Sequence, residues 1–117
     1  MSRILLVEDD EFIRRMIELR LLLRGHEIEL ADNGEIAVSK ALANSYNLIL
    51  MDMHMPVMDG HRATEALRER GYKGLIVAVT ASAMSAESEK AMVSGCDDCI
   101  TKPISADFEE RIEALLV

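Results

Sequence analysis

The sequence predicts an α/β domain, a parallel sheet with helices on both faces. Three observations carry that prediction. Short apolar runs alternate five times with longer segments of helical spacing. Two of the runs, Leu48-Ile49-Leu50-Met51 and Leu75-Ile76-Val77-Ala78-Val79, are apolar without a break, as strands covered on both faces are. The chain of 117 residues, 50% of them hydrophobic, suffices for one core and leaves no room for a second, so a single domain over 1–117 is expected.

The first strand is expected over 4–7, ending against Glu8-Asp9-Asp10. The first helix follows. Phe12, Met16, Leu19 and Leu23 repeat at helical steps, with Gly25 as the stop. With that stripe inward, Ile13, Ile17, Leu21 and Leu22 fall outside it and offer apolar surface to a partner. The second strand covers 28–31. Asn33-Gly34 is a hairpin signal in isolation, but no alternation follows it. Asp32 with Glu35 resembles a helix start, so the order is strand, turn, helix. The third strand covers 48–51, and Asp59-Gly60 reads as a turn before the third helix. The fourth covers 75–79. The fifth, around Cys99-Ile100, is too polar for periodicity and is placed by the alternation alone. In the last helix Phe108, Ile112 and Leu115 repeat, with Ser105 as its expected cap.

Aromatics make up 3% of the chain, so aliphatic side chains and eight methionines fill the core. The net charge of −8 argues against a nucleic-acid surface, which needs clustered Lys and Arg. No apolar run is long enough for a bilayer, and no signal peptide or membrane partner is expected. With two cysteines, the chain reads as cytoplasmic.

Ligands in open parallel sheets bind beyond the carboxyl ends of the strands. There the sequence places Glu8-Asp9-Asp10 after strand one, Asp52 after strand three, Thr80 after strand four and Lys102-Pro103 after strand five. Carboxylates so crowded raise each other's pKa unless a cation sits among them. The donors are hard oxygens, which suits Mg²⁺.

Leu5-Leu6-Val7-Glu8-Asp9-Asp10, the segment from Leu50-Met51-Asp52 to Met58-Asp59-Gly60, Val79-Thr80-Ala81 and Thr101-Lys102-Pro103-Ile104 together resemble the CheY-like receiver domain of response regulators, over the whole chain and in order. The resemblance implies a flavodoxin-like (βα)5 three-layer sandwich with strand order 2-1-3-4-5. It implies that Asp52 is the nucleophile that takes a phosphoryl group from a phosphohistidine. It implies Asp9 as a direct Mg²⁺ ligand, Glu8 as a ligand through water, and Asp52 and the backbone carbonyl of His54 as further ligands. Thr80 and Lys102 would contact phosphoryl oxygens. Pro103 resembles the family's cis-proline, which aims the lysine. Asp10, just after the pair, is expected at the start of helix one.

Other positions mark modulation. Ala81 and Ser82 follow Thr80, and His54 and Ser82 stand where the family tunes the lifetime of the acyl phosphate. Cys99 stands where most receivers have Tyr or Phe, so the usual coupling of Thr80 to a swinging ring is absent. Signalling is then expected to rely on the loop after Thr80, or this receiver passes its phosphate onward.

Implied partners are a histidine kinase or histidine phosphotransfer domain, then a downstream protein or output domain. A phosphorylation-dependent dimer is left open. So is whether the receiver stands alone or belongs to a larger regulator or hybrid kinase. No turnover of an external substrate is expected. The competing readings are a pseudo-receiver that only binds protein, against which the complete residue set argues, and a haloacid-dehalogenase-type phosphatase. The latter needs a second acid two residues after its nucleophile, where this chain has His54.

Cys96-Asp97-Asp98-Cys99 has redox spacing, but two intervening acids should raise the thiol pKa values, so neither redox chemistry nor zinc is expected. Met51, Met53, Met55 and Met58 read as core fillers rather than soft-metal ligands. His26 and His61 read as surface residues.

Overall fold

The computed structural model describes residues 2–55, 57–81 and 85–116. Among these the strands are β1 (Arg3–Val7), β2 (Glu27–Ala31), β3 (Leu48–Asp52), β4 (Leu75–Thr80) and β5 (Asp98–Thr101). The helices that alternate with them are α1 (Glu11–Leu22), α2 (Gly34–Ala43), α3 (Gly60–Glu69), α4 (Ser85–Ser94) and α5 (Phe108–Leu116). All paired strands are parallel, in the order β2-β1-β3-β4-β5. β3 is buried along its whole length, which explains its unbroken apolar run.

Side chains alternate across each strand and divide the core in two. Leu5, Val7, Ile49, Met51, Ile76 and Ala78 meet alanines of α2, α3 and α4 on one face. Ile4, Leu6, Leu48, Leu50, Val77 and Val79 meet Ile17 and Leu21 of α1 and Phe108 and Ile112 of α5 on the other.

The helix starts explain where the strands stop. Asp10 caps α1 by accepting from the Ile13 N–H at 2.9 Å, as expected. α2 is capped by Asn33, one residue beyond the expected Asp32, through the Ile36 N–H at 2.9 Å. Asp59 caps α3 through the Arg62 N–H at 2.9 Å. Ser105 does not cap α5. Its hydroxyl donates to Asp107, and the helix begins at Phe108.

The first helix is rotated from its expected setting. Phe12 and Leu23 are each 78% exposed and Leu19 is exposed as well, whereas Ile17 and Leu21 are fully buried and Ile13 packs against the core. Both stripes satisfy a helical period, so local pattern could not choose between them. Distant partners choose. Arg20 makes a paired contact with Glu109 of α5, at 2.8 and 2.6 Å, and donates to the Ser105 carbonyl at 2.8 Å. Arg14 donates to the Glu8 carbonyl at 3.1 Å.

Both histidines read as surface are buried. His26 accepts from the Ser2 N–H through Nδ1 at 3.2 Å and faces Glu113 of α5 through Nε2 at 3.2 Å. His61, 6% exposed, lies between α3 and α4 with Nδ1 at 3.2 Å from Ser94 Oγ. The Ser94 hydroxyl donates to the Lys90 carbonyl at 2.9 Å, so Nδ1 is the donor to Ser94. A histidine can occupy an interior site once a ring nitrogen finds a partner, and the partners found here lie 24 to 87 residues away in sequence.

Candidate functional site

Parallel register brings the strand-end residues to one level. Val7 pairs with Met51, Asp52 with Val79, and Thr80 with Thr101. Glu8, Asp9, Asp52, Thr80 and Lys102 therefore emerge from the same edge. The Lys102 N–H donates to the Thr80 carbonyl at 2.7 Å, which fixes the lysine beside β4. Its peptide bond to Pro103 is cis, as the resemblance implied.

Glu8, Asp9 and Asp52 each offer a carboxylate oxygen, all within 4.8 Å of one another. Glu8 and Asp52 are buried and Asp9 is exposed, so the cluster opens to solvent on one side. Lys102 Nζ lies 3.1 Å from Glu8 Oε1 and 3.5 Å from Asp52 Oδ1. Burial pushes the Glu8 carboxyl up to about 7, and the neighbouring Asp52 charge adds to that. Burial pulls the Lys102 ammonium down, but Asp52 and Glu8 more than offset it and hold it above the ordinary lysine value. One ammonium among three carboxylates leaves negative charge uncompensated. The donors are hard oxygens at ligand spacing, and they fit Mg²⁺.

The loop after β3 is shaped around Asp52. The His54 N–H donates to Asp52 Oδ1 at 3.3 Å, with the His54 side chain exposed. The Gly60 N–H donates to the Met53 carbonyl at 3.2 Å. A Cβ on Gly60 would stand 2.2 Å from the Asp52 carbonyl oxygen and 2.7 Å from Met53 Cε. Gly34 meets the same loop from α2, and a Cβ there would stand 2.4 Å from the Met58 carbonyl oxygen. Val57 has φ 70°, a strained setting for a β-branched residue. Sequence reasoning took Gly60 only as a turn residue and missed Gly34 and Val57. The spacing from Asp52 to Gly60 was the available signal.

Thr80 is fully buried, with Oγ1 at 3.6 Å from Cys99 Sγ. Ala81 is exposed, and Ser82 lies outside the described residues. Cys96 and Cys99 are free thiols. Cys96 is pushed up to about 11 chiefly by burial, with Asp97 a lesser cause, so the intervening acids are not the main reason. Met51 and Met53 are fully buried, and Met55 and Met58 pack on the same core, as fillers. Beside the lysine, Phe12, Ile13, Met16, Ala81, Pro103 and Ile104 line an apolar groove of about 430 Å³. Among the described residues no helix is long and apolar enough to cross a membrane.

Known proteins match this arrangement. A family model described as the response regulator receiver domain matches residues 4–114. The two-component response regulator ORR41 of Oryza sativa subsp. japonica is 40% identical over 111 residues, covering 92% of this chain and 87% of the relative. The sensor histidine kinase RcsC of Salmonella typhimurium is 35% identical over 112 residues; these cover 96% of this chain but only 12% of that protein. The receiver domain of sensor histidine kinase PA1611 from Pseudomonas aeruginosa PAO1, solved with a magnesium ion coordinated in its active-site cleft, superposes with a TM-score of 0.86. It is 34% identical and covers 98% of this chain and 93% of that one.

Proposed function

The chain belongs to the response regulator receiver family of two-component systems, and from that premise we propose that it accepts a phosphoryl group on Asp52 in a Mg²⁺-dependent reaction. The observation that carries the proposal is the cluster itself, with Glu8, Asp9 and Asp52 at metal-ligand spacing and Lys102 against two of them. An Asp52 carboxylate oxygen attacks the phosphorus of a phosphohistidine; the O–P bond forms as the N–P bond breaks, and the electron pair leaves with the imidazole nitrogen. Lys102 and the Thr80 hydroxyl neutralise charge on the equatorial oxygens. Mg²⁺, held by Glu8, Asp9, Asp52 and the His54 carbonyl, would supply the remaining positive charge when bound. The product is a phosphorylated switch, with no turnover of an external substrate.

The donor is a histidine kinase or histidine phosphotransfer domain, made at the expense of ATP, which puts the reaction in the cytoplasm. Apolar surface beside the site suits such a partner. On α1 it is Phe12, Leu19 and Leu22 that are exposed, with Leu23 just past its end; of the residues expected there, Ile17 and Leu21 are buried and Leu22 alone is fully on the surface. Relatives include a regulator of similar length and a long sensor kinase, so the downstream element is either a separate protein or a further part of the same one.

Intact-mass spectrometry after incubation with Mg²⁺ and acetyl phosphate tests the proposal. One added phosphoryl group is expected on the wild type, and none without Mg²⁺ or in Asp52→Asn. A well-folded wild type that takes up no phosphoryl group and does not respond to beryllofluoride would instead be a binding module.

A further inference from the structure

Glu8 follows the last register pairs of β1, Val7 with Ala31 and Val7 with Met51, and each of its polar groups is held separately. Its N–H donates to the Ala31 carbonyl at 3.0 Å. Its carboxylate accepts from the Asp10 N–H at 3.1 Å and faces Lys102 Nζ at 3.1 Å. Its carbonyl lies beyond the sheet ladder and takes its partner from α1, where Arg14 Nη1 donates to it at 3.1 Å. That carbonyl belongs to the peptide unit joining Glu8 to Asp9. The Asp10 carbonyl in turn accepts from the Arg14 N–H at 2.9 Å. Arg14 therefore holds the turn once before Asp9 and once after it, and Asp9 is the exposed member of the carboxylate cluster.

We propose that Arg14 is a positioning residue for the carboxylate cluster, orienting the Glu8–Asp9 peptide so that Asp9 stays turned towards Glu8 and Asp52. The proposal rests on the reading of that cluster as a Mg²⁺ site. Arg14 is half-buried, and a hydrogen bond donated by a charged group is strong enough to keep one setting of the turn. An exposed carboxylate on an untethered turn must instead be ordered at the moment a cation binds, which costs affinity. Among the described residues Arg14 pairs with no carboxylate, whereas Arg15, Arg20 and Arg24 pair with Glu11, Glu109 and Glu110. Its charge is therefore uncancelled and, taken alone, opposes a cation bound nearby. Charge and positioning thus act on Mg²⁺ affinity with opposite signs.

Calorimetric titration of the whole chain with Mg²⁺, with no phosphoryl donor present, tests this on the wild type, Arg14→Met, Arg14→Lys and Ile17→Ala. Urea unfolding of each without metal accompanies it. Arg14→Met removes the charge and the donors together but keeps a long side chain, and Arg14→Gln replaces it if the methionine variant does not fold. Loss of the hydrogen bond is expected to weaken Mg²⁺ binding about tenfold, the lower end of what removing a group that orients a metal ligand costs. Arg14→Lys keeps a charged donor and should recover to within about threefold of the wild type. Ile17→Ala loosens the same helix without touching the turn, and its Mg²⁺ affinity should match the wild type. Tighter binding in Arg14→Met would mean that the guanidinium acts by charge alone, and unchanged binding with lower stability that it only pins α1 to β1; either overturns the proposal. So does an equal weakening in Ile17→Ala, which would trace the loss to the helix as a whole. A folded wild type that binds no Mg²⁺ at all refutes the metal site itself, and the role of Arg14 falls with it.

Discussion

On the face covered by α1 and α5, Ile17, Leu21, Phe108 and Ile112 are fully buried; Arg20 of α1 ties to Glu109 of α5, and from the turn after α1 Arg24 ties to Glu110 and Glu113 and His26 to Glu113. On the opposite face, among the described residues, α4 brings Ala91 and Ser94 inward, and its links to neighbours include hydroxyl, thiol and imidazole contacts. Large apolar volumes with ionic ties resist displacement, whereas small side chains and weak hydrogen bonds allow it at low cost. The first face is therefore firmly packed and the second lightly packed. The proposed acceptor sits between them at the end of the central strand.

The largest effect expected from that contrast is on stability. Phe108→Ala should lower the unfolding free energy by about 3–5 kcal/mol, the cost of emptying a filled aromatic site. Ala91→Gly at the buried position of α4 should cost only about 1 kcal/mol. Urea unfolding of both variants checks this, and equal losses would end the distinction between the faces.

Next comes the loop after Asp52. Gly60→Ala places a methyl against the Asp52 carbonyl oxygen and the Met53 Cα, both backbone atoms that cannot swing aside, as well as the Met53 Cε. Overpacking of this kind costs about 1–3 kcal/mol. Because the strain falls on Asp52 itself, phosphoryl uptake should drop more than in a Phe108→Ala sample compared at equal folded fraction. Uptake that merely tracks folded fraction would make Gly60 structural only.

The comparison also shows what could be read in advance. β3 and β4 were legible because their apolar runs are long and are buried on both faces. The positions of Asp52, the acidic pair, Thr80 and Lys102 were legible because each sits at a fixed offset from a strand end. The rotation of α1 was not. Its two apolar stripes fit the period equally, and the deciding contact, Arg20 with Glu109, spans 89 residues. His26 and His61 were misread for the same reason, since their partners come from other helices.

The anchoring face has a pH signature. The Arg20 hydrogen bonds hold the Glu109 carboxyl down at about 2, against an ordinary value of 4.5. A depressed carboxyl contributes stability above its unfolded pKa and loses it as pH falls through the folded one. Full stabilisation is thus present above about pH 4.5 and fades towards pH 2. Solvent at the rim of this pair limits it to about 0.5–1 kcal/mol. Arg20→Ala should be destabilised by that amount at pH 7, and the gap from wild type should close as pH drops towards 2. A gap that stays constant down to pH 2 would assign the loss to the stacking of Arg20 on Phe108 and its bond to Ser105 instead.

The smallest expected change lies on the outside of the same anchor. Phe12→Ser and Leu23→Ser remove side chains that are 78% exposed, so each should move stability by no more than about 0.5 kcal/mol. Ile17→Ala, five residues from Phe12 on the inner face, should cost about 2–4 kcal/mol. Had the Phe12 stripe faced the core, the order would be reversed, so urea unfolding of these variants decides the rotation of α1 directly. The exposed pair should matter elsewhere. Phe12 lines the groove beside Lys102, and a partner that delivers phosphate from histidine must lie over that edge, whereas acetyl phosphate needs no such surface. Phe12→Ser should therefore slow transfer from a phosphohistidine protein and leave uptake from acetyl phosphate near the wild-type rate. Equal slowing with both donors would mean that Phe12 acts by holding Lys102 in place rather than by meeting a partner.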